Sequence, residues 1–204
     1  MKLHWSPRSP FVRKVMIVAH ERGVAERIAC VRTVAAMTKP HAELMQDNPL
    51  SKIPTLVLDD GIVLYDSPVI CEYLDSLRDG APKLFPSEPK ARITALRRQA
   101  LGDGFLDMMV TLRNERERAQ PSEVHMASTA ARKSAVLKSL EREAQALAAA
   151  PFGIGHIAIG CALSYLDFRF AEDDWRKDHP RIASWHREFA VRPSVRGTEP
   201  IDDS

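Results

Sequence analysis

The chain has 204 residues, 45% of them hydrophobic and 27% charged, with a formal net charge of +2. That length buries a sizeable core, as one large domain or two small ones, and the composition is that of an ordinary globular protein. Basic and acidic residues are balanced both in the first third and in the remainder, which argues against a nucleic-acid or membrane-surface face.

No basic start followed by an apolar run is present, so no secretory leader is expected. The longest apolar stretch, residues 154–166, contains His156 and is too short to span a bilayer. Cys30, Cys71 and Cys161 are isolated among apolar neighbours and read as buried free thiols of a reduced, cytoplasmic compartment. There is no Cys-x-x-Cys pair, and the histidines lack close pairing, so no metal site is expected.

In chain order, residues 1–5 read as an opening strand bounded by Ser6-Pro7. Phe11, Val15, Val18 and Ala19 then recur at helical spacing up to Glu21, with Ser9 as the N-cap, Pro10 in the first helical position and Gly23 as the stop. A second strand is expected over 27–34. The stretch 35–50 reads as loop, with at most a short helix near 41–46. Two β-rich runs flank Asp59-Asp60-Gly61, a hairpin signal, and Pro54 belongs at a strand start. Asp66-Ser67-Pro68 opens a second helix over 69–77.

From Arg78 to Pro89, Gly80, Pro82, Pro86 and Pro89 mark a linker. Helices are expected over 91–118, from the Ser122 cap to about 149, over 152–170 and from Pro180 to Arg192. The third of these is apolar all round and reads as a buried spine. The organisation is an α/β domain over 1–78, a linker over 79–89 and an all-helical domain over 90–204. Gly153-Ile154-Gly155 is not a dinucleotide fingerprint, because a helix rather than a strand precedes it.

Three short motifs carry two readings each. Ser9 is either a plain N-cap or a hydroxyl that holds a thiolate beside the positive end of a helix. Lys52-Ile53-Pro54-Thr55 either just begins a strand or contains a cis Ile53–Pro54 bond, which turns the Ile53 backbone groups outward to pair with an extended ligand. Asp66-Ser67 either caps its helix or seats a ligand carboxylate on the first N–H groups, with Asp66 near an ammonium. Taken singly, each plain reading is preferred. All three, however, fall at strand–helix or loop–strand edges of one small domain.

These motifs, at their mutual spacing, resemble the cytosolic glutathione S-transferases, and the likeness runs from Met1 to about Thr198. It rests on Ser6-Pro7-x-Ser9-Pro10-Phe11-Val12-Arg13-Lys14, Asn48-Pro49-x-x-Lys52-Ile53-Pro54-Thr55-Leu56 and Asp66-Ser67-Pro68-x-Ile70, with Asp167-Phe168-Arg169 and Arg192-Pro193-Ser194-Val195 further on. The resemblance implies a thioredoxin-like N-terminal domain that binds glutathione and a helical domain that supplies the second substrate's pocket. It implies Ser9 as the catalytic hydroxyl of a serine-type, bacterial-like member, since Trp5 stands where tyrosine-type members carry a phenol and no cysteine stands at position 9. Phe11, Lys52, Ile53, Pro54, Asp66 and Ser67 would form the glutathione site.

The resemblance further implies conjugation of the glutathione thiolate to small hydrophobic electrophiles, a detoxification chemistry, with no metal. Trp5, Phe105, Met108, Met109 and Leu112 are candidate pocket walls, though each reads equally as core. A non-catalytic glutathione-binding or regulatory module, or a glutathione-dependent peroxidase or isomerase, is the alternative. A homodimer is implied, with Asp103 as a candidate to reach the partner's glutathione amine.

Two departures stand out. Ser51 replaces the usual glycine before Lys52. The spine helix starts with Gly153 and His156 where a Ser/Thr cap and an Asp are usual, so a weakened helix start is expected.

Overall fold

The computed structural model describes residues 1–79 and 82–203. Gly80 and Ala81 of the expected linker, and Ser204, lie outside the described residues. The chain forms two compact units, Met1–Pro89 together with Pro193–Ser204, and Lys90–Arg192. The architecture is a thioredoxin-like α/β unit and an all-helical unit, the fold class expected from the sequence.

In the first unit β1 (Lys2–Trp5) leads into α1 (Pro10–Glu21), a 3₁₀ turn (Ala25–Arg27) and β2 (Ala29–Arg32). A short α2 (Ala42–Asp47) precedes β3 (Thr55–Val57), β4 (Val63–Leu64) and α3 (Ser67–Ser76). The sheet order is β2-β1-β3-β4, with β1 parallel to β2 and antiparallel to β3, and β3 antiparallel to β4. A parallel pair needs a crossover, and α1 supplies it.

Register sets the geometry that matters for function. His4 pairs with Thr55, and Leu56 with Leu64. The end of β1, the start of β3 and the end of β4 therefore lie on one edge of the sheet, and the three motifs follow or precede those ends. In the β3–β4 hairpin, Gly61 takes φ +87°, a conformation that disfavours a side chain, and its N–H donates to the Leu58 carbonyl at 3.0 Å.

α1 is more buried than its sequence suggests. Arg13 and Lys14, which interrupt the apolar spacing, are both buried, along with Val12, Val15, Ile17 and Val18. Arg22, just past the helix, is buried too. Its Nε lies 3.2 Å from Asp75 Oδ1, and its other nitrogens donate to the carbonyls of Pro82, at 2.7 Å, and Arg78. Asp75 also accepts from the Leu84 and Phe85 N–H groups at 3.0 and 3.1 Å. One charge pair thus ties α1 to α3 and to the chain that follows it. At the other end of the sheet, buried His4 bridges Thr33 Oγ1 at 3.0 Å and Asp47 Oδ2 at 2.8 Å, which locks β1 to α2.

The cysteine expectation needs a correction. Cys71 and Cys161 are buried, but Cys30 is exposed. The reason is topological: β2 is an edge strand, and all four of its residues are exposed.

The second unit contains α4 (Pro89–Arg116), α5 (Glu123–Ala149), α6 (Ile154–Arg169), a 3₁₀ turn (Ala171–Asp173) and α7 (Pro180–Ala190). Every residue from Ile154 to Leu166 is buried, so α6 is the spine that its apolar circumference predicts. Gly153 supplies no side-chain cap there, but the expected loss of the reciprocal bond needs a correction. His156 Nδ1 accepts from the Gly153 N–H at 3.2 Å, and its Nε2 donates to the Leu147 carbonyl at 2.9 Å. Burial holds the His156 pKa below its ordinary value, so the ring stays neutral and puts no charge at the positive end of the helix. No helix among the described residues is long and apolar enough to cross a membrane.

A final short helix, α8 (Pro193–Arg196), belongs to the first unit and packs on α1.

Candidate functional site

The candidate site is built on the sheet edge where β1, β3 and β4 present their ends. Ser6-Pro7-Arg8 leaves β1 as a turn, and Ser9 follows as the N-cap of α1 with φ −83° and ψ 118°. Its Oγ accepts from the Val12 N–H at 3.3 Å. This contact is the helix cap of the first reading of Ser9. A hydroxyl has two acceptor lone pairs and one donor, and the cap occupies a single lone pair. Capping leaves the O–H proton available, so the same serine can finish its helix and donate to a negative atom.

At the neighbouring edge the Ile53–Pro54 bond is cis. The β1–β3 ladder begins only at Thr55, and the Ile53 N–H and C=O have no hydrogen-bond partner among the described residues. The loop is held from behind: the Lys52 carbonyl accepts from Asn48 Nδ2 at 3.2 Å and from Thr55 Oγ1 at 2.8 Å. Ser51 takes φ +51°, the region that favours glycine, and its hydroxyl accepts from the His41 N–H at 2.9 Å. The Lys52 side chain is exposed.

At the end of β4, Asp66 occupies the N-cap position of α3 but makes no capping hydrogen bond through its side chain. The first N–H groups of that helix are therefore free of a side-chain cap, while the Asp66 carboxylate is exposed and Ser67 buried. Uncapped amides at the positive end of a helix suit a carboxylate, and an exposed acid beside them suits an ammonium. The Tyr65–Asp66 peptide is also cis.

A cleft of about 70 Å³ opens beside Ser9, lined by Trp5, Ser6, Pro7, Val12, Arg13, Met16, Thr198 and Glu199. The structure thus brings Trp5 and Ser9 together in one unit. The helical candidates fall differently: Phe105, Met109 and Leu112 are buried in their own unit, whereas Met108 keeps exposed surface. Phe11 and Asp103 are half-buried.

Sequence reasoning missed Arg13, Thr198 and Glu199 as parts of this cleft. Arg13 carries a legible signal, since it lies one helical turn beyond Ser9 on the same face. Thr198 and Glu199 carry none, because only the return of α8 onto α1 brings that segment to the cleft. Asp203 then accepts from Arg8 at 3.0 Å and from Arg32 at 2.7 Å, which holds the end of the segment beside the site. Among the described residues no group of three His, Cys, Asp or Glu side chains is placed to hold a metal ion.

Comparison with known proteins points to one family. The family model of the glutathione S-transferase N-terminal domain matches residues 8–77, and that of the C-terminal domain matches residues 131–188. An uncharacterised GST-like protein of Escherichia coli, YibF, is 33% identical over 98% of both chains. A glutathione transferase family member from Pseudomonas fluorescens Pf-5, solved with bound glutathione, superimposes with a TM-score of 0.94 at 43% identity over 98% of both chains. A second structure described as a glutathione transferase family member from Pseudomonas fluorescens Pf-5 holds S-(propanoic acid)-glutathione, with a TM-score of 0.89 at 40% identity, covering 98% of this chain and 100% of that one.

Proposed function

This chain belongs to the glutathione S-transferase family, and on that premise we propose that it is a serine-type glutathione transferase that conjugates the glutathione thiolate to small electrophiles. The observation that supports the proposal is that Ser9 Oγ lines a cleft and accepts the α1 cap bond while donating to no group among the described residues; in this reading its proton serves a sulfur atom.

Glutathione takes the sheet edge in this reading. Its cysteinyl backbone pairs with Ile53 ahead of Pro54. Its glycyl carboxylate reaches Lys52, and its γ-glutamyl end meets the uncapped start of α3 at Ser67, with the Asp66 carboxylate on its ammonium. Phe11 flanks the site from the first turn of α1. The Ser9 hydroxyl then faces the sulfur.

The chemical task is ionisation, because an ordinary thiol with a pKa of about 8.5 is mostly protonated at neutral pH. Lowering that value by about two units takes roughly 2.7 kcal/mol. One charge-assisted hydrogen bond and a helix N-terminus together supply that amount. The thiolate attacks the electrophile held against Trp5 and its neighbours, and Ser9 needs no proton transfer of its own. A homodimer and a cytoplasmic location belong to the same reading, and the partial exposure of Asp103 is compatible with a role toward a partner's glutathione.

The test is kinetic. Ser9→Ala is expected to lower the conjugation rate well over tenfold, by about the strength of one charge-assisted hydrogen bond, while retention on a glutathione column stays nearly unchanged. An unchanged rate would reduce Ser9 to a helix cap. Retention of the wild type without turnover of any model electrophile would favour a binding module instead.

A further inference from the structure

Among the described residues two that are not glycine take a positive φ, Asp174 at +33° and Ser51 at +51°. Asp174 follows a 3₁₀ turn in the helical unit. Ser51 directly precedes Lys52 and Ile53, at the sheet edge assigned to glutathione. A side chain raises the energy of this backbone conformation, and glycine does not. Strain of this kind persists where the surroundings hold it, and it gathers at functional positions.

What serine adds over glycine is a hydroxyl, and Ser51 Oγ accepts from the His41 N–H at 2.9 Å. His41 is the N-cap of α2, where its Nδ1 accepts from the Leu44 N–H at 3.2 Å. The Ser51 bond therefore fastens the start of α2 to the loop that leads into β3. Helix α2 depends on such ties. It has six residues, too few for a stable isolated helix, and Leu44 is its one buried side chain. Residues 36–40, which lead into it, are all exposed.

The same loop is anchored a second time at the end of α2. Buried Asn48 donates through Nδ2 to the Lys52 carbonyl at 3.2 Å and to Thr55 Oγ1 at 2.9 Å. Its own carbonyl accepts from the Ser51 N–H at 2.9 Å. Asn48 thus fixes the end of α2 to the strand, and Ser51 fixes its start. The Ile53 backbone groups that await a partner follow two residues after Ser51.

We propose that Ser51 is a positioning residue, whose hydroxyl tethers α2 and so holds the Lys52–Ile53 backbone in the orientation that glutathione binds. This rests on the glutathione reading above and adds to it a residue that touches no ligand. Stability and affinity are then separated at one position. The φ angle governs stability, and the hydroxyl governs affinity.

Ser51→Gly and Ser51→Ala separate the two. Both remove the acceptor, but only alanine keeps a β-carbon at positive φ. Glycine suits φ +51°, so that variant folds. The deciding measurement is the glutathione Kd by calorimetry, set beside Tm. Both variants should bind glutathione about three- to tenfold more weakly, the range of one hydrogen bond. The alanine variant should nonetheless melt about 2–4 °C below the glycine variant. With chloroacetamide as electrophile, KM for glutathione should rise in step with Kd while kcat holds at the wild-type value.

Wild-type affinity in Ser51→Gly, or a loss confined to the less stable alanine variant, would overturn the inference and leave the glutathione reading standing. A kcat that falls as far as the affinity would overturn it too. Failure of the wild type itself to bind glutathione would strike the glutathione reading, and the inference with it.

Discussion

The start of α6 offers a sharp prediction because His156 makes the reciprocal bond that its sequence suggests is lost. His156 uses both ring nitrogens, accepting from Gly153 and donating to the carbonyl of Leu147 across a buried gap. Its ring also lies 5.5 Å from Phe152 and 6.1 Å from Trp185, centroid to centroid. His156→Asn keeps an acceptor for Gly153 but cannot reach both partners, so a buried carbonyl is left unmet at a cost of about 1–3 kcal/mol. For a chain of this size that lowers Tm by roughly 2–4 °C per kcal/mol.

The pH dependence has a definite sign. Burial is the largest cause holding the folded-state pKa below the ordinary histidine value, with the Arg98 and Arg192 charges acting in the same direction. The stability of the neutral ring is fully present above the unfolded pKa of about 6.5 and is lost as pH falls toward the lower folded value. Between pH 7.5 and 5.5 the wild type should therefore lose up to about 1.4 kcal/mol that the asparagine variant does not lose. Calorimetric melts of both proteins at the two pH values test this. The gap in Tm should be widest at pH 7.5 and narrow at pH 5.5. A variant as stable as the wild type at pH 7.5, or a gap that ignores pH, would refute the reasoning.

Two other outcomes follow from burial. Arg22→Met leaves Asp75 buried without its cation and should cost about 3–5 kcal/mol in urea unfolding, against less for the double variant Arg22→Met with Asp75→Leu; a loss under about 1 kcal/mol would show that the pair is not structural. Cys30 alone among the three cysteines is exposed, so one thiol per native chain should react with a disulfide reagent and two only on unfolding. Reaction should be slow near neutral pH, because partial desolvation pushes the Cys30 thiol above its ordinary pKa. Two fast thiols would place another cysteine at the surface.

Much of the fold was legible because its signals are local. Ser9-Pro10, Asp59-Asp60-Gly61 and Ser122 mark helix starts and a turn through their own backbone chemistry, and the apolar circumference of 154–166 requires burial. The site was legible as three edges, but not the choice between cap and ligand. At Ser9 one hydroxyl serves both readings, since the cap uses only an acceptor position, and at Asp66 the missing side-chain cap bond is a property of the folded chain that the motif does not carry. Other features depend on contacts far apart in sequence. His156 is a poor choice for a helix start until Leu147 is found opposite its Nε2. Cys30 looks like core until β2 proves to be the sheet edge. Arg13 looks like a solvent-facing charge until α8 returns to cover it.

The central claim concerns one proton, and ultraviolet titration of the glutathione thiolate bound to the wild type and to Ser9→Ala reads it directly. In the wild type the thiol should titrate about two units below its free value of about 8.5, and in Ser9→Ala it should move most of the way back. Equal pKa values in the two proteins would contradict a Ser9 hydroxyl that donates to sulfur.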